Sequence, residues 1–344
     1  MRILLIMDPG LPVPPPLYGG HERLVHLFAE EYHRQGHEVS LLVGPDSSGP
    51  GMVYTFGKNI LDRSKLSTLK EVITGWSFLN ENHSNYDLIH NFGRLIYLIP
   101  ILNKPVKKIM TYGRRITPSR IKWINTLPNQ NLIFTACSDF CVNTGNIAGN
   151  WKTIYNAIDF SSYTLKENLP DDAPLVFLGR LDKVKGPHLA IQAALKTGEN
   201  LIIAGSKPTT SDNIEFFKKH VEPFIDGKQI KYIGAVNDPQ KNEILGKCKA
   251  LLFPISSEEA FGLVMIEAMA CGTPVIGYNR AAVPEVISEM KNGFIVNNFD
   301  EMCLSIKNIH KINRAKCRLV TQEKFDKTII ANKYLSLFKF HNSD

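Results

Sequence analysis

Four charged side chains in the second half of the chain stand at spacings that suit a ligand carrying both phosphate and hydroxyl groups. Two of them, Arg180 and Lys185, flank one loop in Leu178-Gly179-Arg180-Leu181-Asp182-Lys183-Val184-Lys185-Gly186-Pro187. An apolar run precedes that loop and Pro187 opens a helical pattern after it. Both cations therefore fall at the carboxyl end of a strand, where open α/β sheets bind ligands. A guanidinium fork and an ammonium converging there suit a diphosphate; two solvated surface charges would read the same way. The other two, Glu259 and Glu267, belong to Ser257-Glu258-Glu259-Ala260-Phe261-Gly262-Leu263-Val264-Met265-Ile266-Glu267-Ala268-Met269-Ala270-Cys271-Gly272-Thr273-Pro274. Glu259 sits in a loop before a helix, and Glu267 a little over one turn inside it. The N–H groups of Phe261, Gly262, Leu263 and Val264 would face a phosphate. A carboxylate on each side can accept from hydroxyls, with a ribose and a sugar ring as candidates. Glu267 could also be a solvated helix residue, but Ile266, Ala268, Met269 and Ala270 around it are apolar or small, and a charge is unusual in such company.

In the first half, Tyr18-Gly19-Gly20-His21-Glu22 follows an apolar run and a loop holding Pro9, Pro12, Pro14, Pro15 and Pro16. Two adjacent glycines opening a helix let backbone N–H groups approach an anion at the positive end of the helix dipole. A plain tight turn would use the same residues. No G-x-G-x-x-G occurs, which disfavours a nicotinamide dehydrogenase, and neither a Walker A loop nor a G-x-S-x-G elbow is present.

The elements that must position these residues alternate in type. Short apolar, β-branched runs at 2–7, 39–43, 88–90, 108–111 and 132–136, then at 175–178, 200–204, 230–233, 250–253 and 274–277, read as parallel strands covered on both faces. Between them lie helical patterns such as 22–35, 187–195, 242–246 and 263–270. That alternation predicts a doubly wound α/β sheet, and it occurs twice. Positions 156–174 lack a period and contain Pro170, Asp171, Asp172 and Pro174, which places a domain linker there. Positions 326–340 read as a last helix with Ile329, Ile330, Tyr334 and Leu337 on one side.

At 344 residues, 44% hydrophobic and 21% charged, the chain suits two ordinary globular domains. A net charge of +7 is only mildly basic and fits a solvated surface. The six cysteines form no C-x-x-C pair, which argues against structural zinc and fits reduced thiols in a cytosolic protein. The apolar start before Asp8 is too short for a signal peptide and reads as a buried strand, and the run from Leu95 to Leu102, broken by Pro100, is too short to span a bilayer.

With these motifs in place a resemblance emerges. Gly179-Arg180-Leu181 with Lys185-Gly186-Pro187, then Glu259 and Glu267, then Ala268-Met269-Ala270-Cys271-Gly272-Thr273-Pro274-Val275-Ile276 and Val283-Pro284-Glu285-Val286-Ile287, resemble family 4 of the retaining glycosyltransferases. Ile154-Tyr155-Asn156-Ala157-Ile158-Asp159 is similar to that family's Tyr-Asn-Gly-Ile-Asp at the domain junction, and Tyr18-Gly19-Gly20 with Glu22 to its acceptor-side loop. The likeness covers nearly the whole chain and is strongest from Tyr155 to Val296. It implies the GT-B fold: two Rossmann-like, doubly wound domains facing a cleft. The expected division is 1–160 as the acceptor-side domain, 161–325 as the nucleotide-sugar domain, and 326–344 as a helix crossing back onto the first.

By that resemblance Arg180 and Lys185 hold the donor diphosphate and Glu259 contacts the transferred sugar; these three would carry catalysis. Glu267 would take the ribose hydroxyls, Gly19 and Gly20 would lie against the donor phosphate and sugar, and main-chain groups around Gly234 and Val236 would hold the base. The implied activity is a retaining transfer from a nucleoside-diphosphate sugar, a UDP-sugar, with no cofactor beyond that substrate. No Asp-x-Asp pair exists in the chain, so no divalent metal is expected and the basic pair must neutralise the leaving diphosphate. One departure stands out: where the family often has a His after the fourth strand, this chain has Tyr112, in Met110-Thr111-Tyr112-Gly113-Arg114-Arg115. A GT-B epimerase or phosphorylase, or a catalytically silent sugar-nucleotide-binding subunit, remain alternative readings.

For the acceptor the sequence offers a charge pattern. From Leu88 to Ser138 there is no acidic residue, while Arg94, Lys104, Lys107, Lys108, Arg114, Arg115, Arg120 and Lys122 all fall in that stretch. Tyr112, Arg114 and Arg115 follow a strand end and are acceptor-side candidates for an anionic or lipid-linked acceptor; scattered solvated charges are the plainer alternative. Lys104, Lys107 and Lys108 would lie at the opposite edge and could touch an anionic bilayer. The resulting expectation is a cytoplasmic protein, at most peripheral to the inner face of a membrane, with no nucleic-acid partner.

Overall fold

The computed structural model describes residues 1–16, 19–62, 64–145 and 149–338. Tyr18 of the glycine-turn motif and positions 339–340 of the expected last helix lie outside them. Among the described residues the strands form two sheets whose neighbours all run parallel. The first contains β1 (Arg2–Ile6), β2 (Glu38–Val43), β3 (Met52–Thr55), β4 (Leu88–Asn91), β5 (Lys107–Tyr112), β6 (Leu132–Ala136) and β7 (Trp151–Thr153), in the order β3-β2-β1-β4-β5-β6-β7. The second contains β8 (Leu175–Leu178), β9 (Leu201–Ala204), β10 (Ile230–Tyr232), β11 (Ala250–Phe253), β12 (Val275–Tyr278) and β13 (Gly293–Val296), in the order β10-β9-β8-β11-β12-β13. Each order reverses once, between β1 and β4 and between β8 and β11. Crevices for ligands open outside the carboxyl ends of the strands at such reversals.

The chain forms two compact units, Met1–Ala157 with Lys327–Asp344, and Ile158–Asp326. The central strands are apolar and fully covered, as their unbroken runs require: β11 is buried throughout, and so is β6. The strands that periodicity missed include the two edges of the first sheet, β3 and β7, which are short and half-exposed and carry polar residues. The helix Lys65–Asn82 was missed for a different reason. It buries Glu71, Val72, Gly75 and Leu79 while exposing Leu66, Leu69 and Ile73, so apolar residues stand on two faces and no single 3.6-residue stripe emerges. The pattern expected at 242–246 is the last part of a longer helix, Asp238–Lys247, whose Asn237 cap and Gln240 form a reciprocal pair.

The last helix, Lys327–Leu335, belongs to the first unit and buries Ile330, Ala331 and Tyr334 in its core. Tyr334 meets Phe28 edge-on at 5.3 Å and lies 4.5 Å from the His90 ring, and its hydroxyl bonds to Thr111 and Thr135. His90 is itself fully buried. Its Nε2 lies 2.8 Å from Thr111 Oγ1, and its Nδ1 has no hydrogen-bond partner among the described residues. Burial pulls the His90 pKa down to about 3. The folded chain therefore refuses a proton that the unfolded chain accepts below its ordinary value of about 6.5, so stability falls as pH drops through that window. Between pH 6.5 and pH 5 the loss from this one group is about 2 kcal/mol. Urea melts at pH 7 and pH 5 are expected to show that drop in the wild type and a drop smaller by about this amount in His90→Phe. Equal drops in the two proteins would remove His90 as the cause.

The expected basic edge of Lys104, Lys107 and Lys108 needs correction. Lys108 is fully buried, and its ammonium donates to the carbonyls of Lys104 and Val106, both at 2.7 Å. Burial draws its pKa down to about 8. Lys107 lies 5.7 Å over the Phe338 ring. The lysine stem packs where a strand residue must face the core, and its head is satisfied by nearby carbonyls, so it is not available to a bilayer.

Candidate functional site

In the second unit the loops after β8 and β11 meet at the reversal of strand order. A one-turn 3-10 helix, Lys183–Lys185, follows β8 and ends on Gly186 with φ +79°. A Cβ at Gly186 would fall 2.3 Å from the Pro254 carbonyl oxygen, so only glycine lets the two loops approach this closely. Ser256 N–H donates to the Val184 carbonyl at 2.9 Å, and Lys183 N–H to Asn213 Oδ1 at 3.1 Å. Across this seam Lys185 Nζ donates to Glu259 Oε2 at 2.6 Å, with about a quarter of each side chain exposed. The sequence placed these two residues in separate motifs; the fold makes them one ion pair. Arg180, 59% exposed, pairs instead with Asp182 at 3.0 Å. Asp182 was missed because an acidic residue inside a basic loop gives no signal of which cation it will restrain.

The helix Leu263–Ala270 begins on Gly262, at φ 86°, with no side-chain cap. Its first-turn N–H groups, including those of Leu263 and Val264, thus meet no capping oxygen from that residue and are suited to an anion. Phe261 contributes only its backbone, since its ring is buried edge-on against Phe325 at 5.6 Å. The opposite end of the helix is closed by two guanidinium groups: Arg318 donates to the Ala270 carbonyl and Arg314 to that of Cys271. Cations there suit the negative end of the dipole and leave the N-terminal end for a ligand.

Glu267 is not a solvated helix residue. Its side chain is 12% exposed, and its Oε1 accepts from Lys241 Nζ at 2.5 Å and from the Tyr163 hydroxyl at 3.1 Å. Burial and then the Glu267 charge push the Tyr163 phenol upward, while for Lys241 the pull of burial is overcome by Glu267 and the ammonium is held above its ordinary value. Both bonds land on Oε1, and among the described residues none donates to Oε2, which suits it to an outside donor such as a hydroxyl. Sequence reasoning missed Tyr163 and Lys241: one lies in the stretch assigned to a linker, the other in a helix with little amphipathic character. Gly234, at φ +81°, follows β10 and accepts from Gly205 N–H at 2.8 Å, so the ends of β9 and β10 are tied together beside β8. Val236 is half-buried one residue before the cap of Asp238–Lys247.

In the first unit Gly19 takes φ 154° and Gly20 opens the helix Gly20–Arg34. A Cβ on Gly113 would fall 1.7 Å from His21 Nε2, so the imidazole lies directly on the turn after β5. Burial, then the nearby Arg114 charge, lower the His21 pKa; burial, then Asp8, raise that of Glu22. Asp8, after β1, accepts from Arg94 Nε at 3.1 Å and from the Tyr97 hydroxyl at 2.9 Å, and Arg94 and Tyr97 also bond to buried Glu71. Tyr112 is half-buried with its ring 5.8 Å from that of Trp151, and burial pushes its phenol up, against the opposing pull of Arg120 and Arg114. Arg114 and Arg115 are exposed. The carboxyl edge of this sheet therefore gathers Asp8, His21, Glu22, Arg94, Tyr112 and Arg114. Among the described residues no group of three His, Cys, Asp or Glu is placed to hold a metal ion.

Residues 164–319 match the family model of glycosyl transferases group 1. That match falls within the second unit. Spore coat protein SA of Bacillus subtilis (strain 168) is 28% identical over 171 residues, 43% of this chain and 45% of that protein. An uncharacterized 41.2 kDa protein in the cps region of Klebsiella pneumoniae is 27% identical over 249 residues, 68% of this chain and 65% of that protein. The chain thus spans less than two thirds of the length of both. The crystal structure of Anabaena Alr3699/HepE in complex with UDP matches at a TM-score of 0.73 and 19% identity, covering 98% of this chain and 99% of that one. Over its full length the chain has the GT-B fold.

Proposed function

We propose that this protein is a retaining, metal-independent glycosyltransferase that moves a sugar from a UDP-sugar to an acceptor. The observation that carries the reading is the Lys185–Glu259 pair at the strand-order reversal of the second sheet, beside the uncapped helix start at Gly262. A donor diphosphate entering there competes with Glu259 for the ammonium. Once Lys185 turns to phosphate, Glu259 is released to accept from a hydroxyl of the sugar ring. As the glycosidic bond to phosphate breaks, negative charge grows on the leaving diphosphate, and Lys185, Arg180 and the helix N-terminus stabilise it. The free Oε2 of Glu267 takes a ribose hydroxyl. UDP as the nucleotide is supported by the fold shared with a chain solved with UDP bound; retention is supported by resemblance, and metal independence by the cation pair together with the missing Asp-x-Asp.

A thermal-shift panel of nucleotide sugars identifies the donor, since only a ligand of the folded state raises Tm. Transfer from that donor is expected to persist in excess EDTA and to give a product with the donor's anomeric configuration by NMR. Loss of activity in EDTA with rescue by magnesium would overturn the metal assignment, and an inverted anomer the stereochemical one. In the same assay Arg114→Ala is expected to raise the acceptor KM and leave the donor KM alone if the acceptor is anionic.

A further inference from the structure

We infer that the start of the helix Lys65–Asn82, with the turn before it, is a docking surface for an anionic lipid bilayer. Five apolar side chains there face solvent: Leu61 is 94% exposed, Leu66 73%, Ile60 61%, Leu69 58% and Ile73 55%. They are not the product of a frayed segment. Ser64 caps the helix by accepting from Ser67 N–H at 3.1 Å, and Ser67 Oγ accepts from Ser64 N–H at 2.7 Å. The buried face of the same helix is a separate one, formed by Val72, Gly75 and Leu79. Leu66, Leu69 and Ile73 stand three and four residues apart, so they form one strip, and at 3.6 residues per turn Lys65 and Lys70 fall on either side of it. Lys58 precedes the turn; among the described residues from 58 to 74 the acids are Asp62 and buried Glu71.

An apolar strip flanked by lysines matches a membrane interface, where the side chains enter the acyl boundary and the ammoniums meet anionic headgroups. No described helix is long and apolar enough to cross a bilayer, so the contact is interfacial. The patch also lies at a useful edge. Ile60 N–H donates to the Gly10 carbonyl at 2.9 Å, which ties the turn to the loop after β1. That is the carboxyl edge of the first sheet, the edge that carries Asp8, Tyr112 and Arg114. A chain held to a bilayer by this patch would bring that edge towards the lipid headgroups.

The test is co-sedimentation of the full chain with vesicles of phosphatidylcholine alone and with vesicles of equal phosphatidylcholine and phosphatidylglycerol. The readout uses neither donor nor turnover, so it is independent of the catalytic reading. The wild type is expected to pellet with the anionic vesicles and to be released by salt. Lys65→Ala with Lys70→Ala is expected to weaken partition about 25-fold, near fivefold for each charge. Leu66→Ser with Leu69→Ser and Ile73→Ser is expected to abolish it, with Tm unchanged because the replaced groups are on the surface. Equal pelleting with both lipids, or binding unchanged in both variants, would overturn the inference. So would a dimer in light scattering that the triple variant dissolves, since a second copy would then cover the strip.

Discussion

Lys185→Ala is expected to lower kcat/KM for sugar transfer by about 30- to 1,000-fold, or ~2–4 kcal/mol of transition-state stabilisation. The Lys185 side chain is three-quarters covered, and its ammonium is aimed across the seam between the loops after β8 and β11. It is therefore placed before the donor arrives, and little ordering is needed at the moment of reaction. Removing it deletes the charge facing the leaving group and also strands Glu259. Arg180→Ala is expected to cost less, about tenfold, because that side chain is 59% exposed, paired with Asp182 and screened by solvent. Lys185→Arg should recover part of the loss. Steady-state kinetics on variants with wild-type Tm decide the matter. A folded Lys185→Ala protein with near-normal kcat/KM would remove Lys185 from the catalytic machinery, and a larger effect at Arg180 would reverse the ranking.

Glu267 and Glu259 are expected to separate into binding and rate. Glu267→Gln should weaken binding of free nucleoside diphosphate by about 10- to 100-fold, because a charge-assisted bond to a hydroxyl is lost at a side chain that is only 12% exposed. The glutamine is preferred to alanine here. Glu267→Ala would leave the Lys241 ammonium and the Tyr163 hydroxyl without their shared acceptor and would lower stability as well. Glu259→Ala should leave nucleoside diphosphate affinity near normal, or raise it slightly by freeing Lys185, and should lower kcat at saturating donor, since its partner on the substrate is the reacting ring. Titration calorimetry with UDP together with kcat for each variant measures both effects. If Glu259→Ala loses UDP affinity and Glu267→Gln keeps it, the two roles are exchanged.

Much of this arrangement was legible before any coordinates. The central strands read directly from their runs of aliphatic residues, because a strand covered on both faces has no polar alternation. Pro187 and Gly272 bracketed helices correctly because one fixes φ at a helix start and the other accepts the left-handed φ after a helix end. Glu267 stood out because an apolar neighbourhood makes a carboxylate conspicuous. The edge strands β3 and β7 and the helix Lys65–Asn82 were not legible, since half-exposed strands and a helix apolar on two faces break the periodicities that identify them.

The sequence by itself determined two doubly wound sheets, the loops at their carboxyl ends, and the residue types that could meet phosphate and hydroxyl groups there. Only the tertiary structure decided which of those residues act together. Lys185 and Glu259 are 74 positions apart, and Tyr163 and Glu267 are 104 apart. No local pattern records such a pairing, because in a parallel sheet adjacent strands are joined by long crossovers and neighbours at a strand end come from distant parts of the chain. The same physics moved Lys108 from an expected surface to the interior: its place in the strand, not its charge, set where its stem had to go.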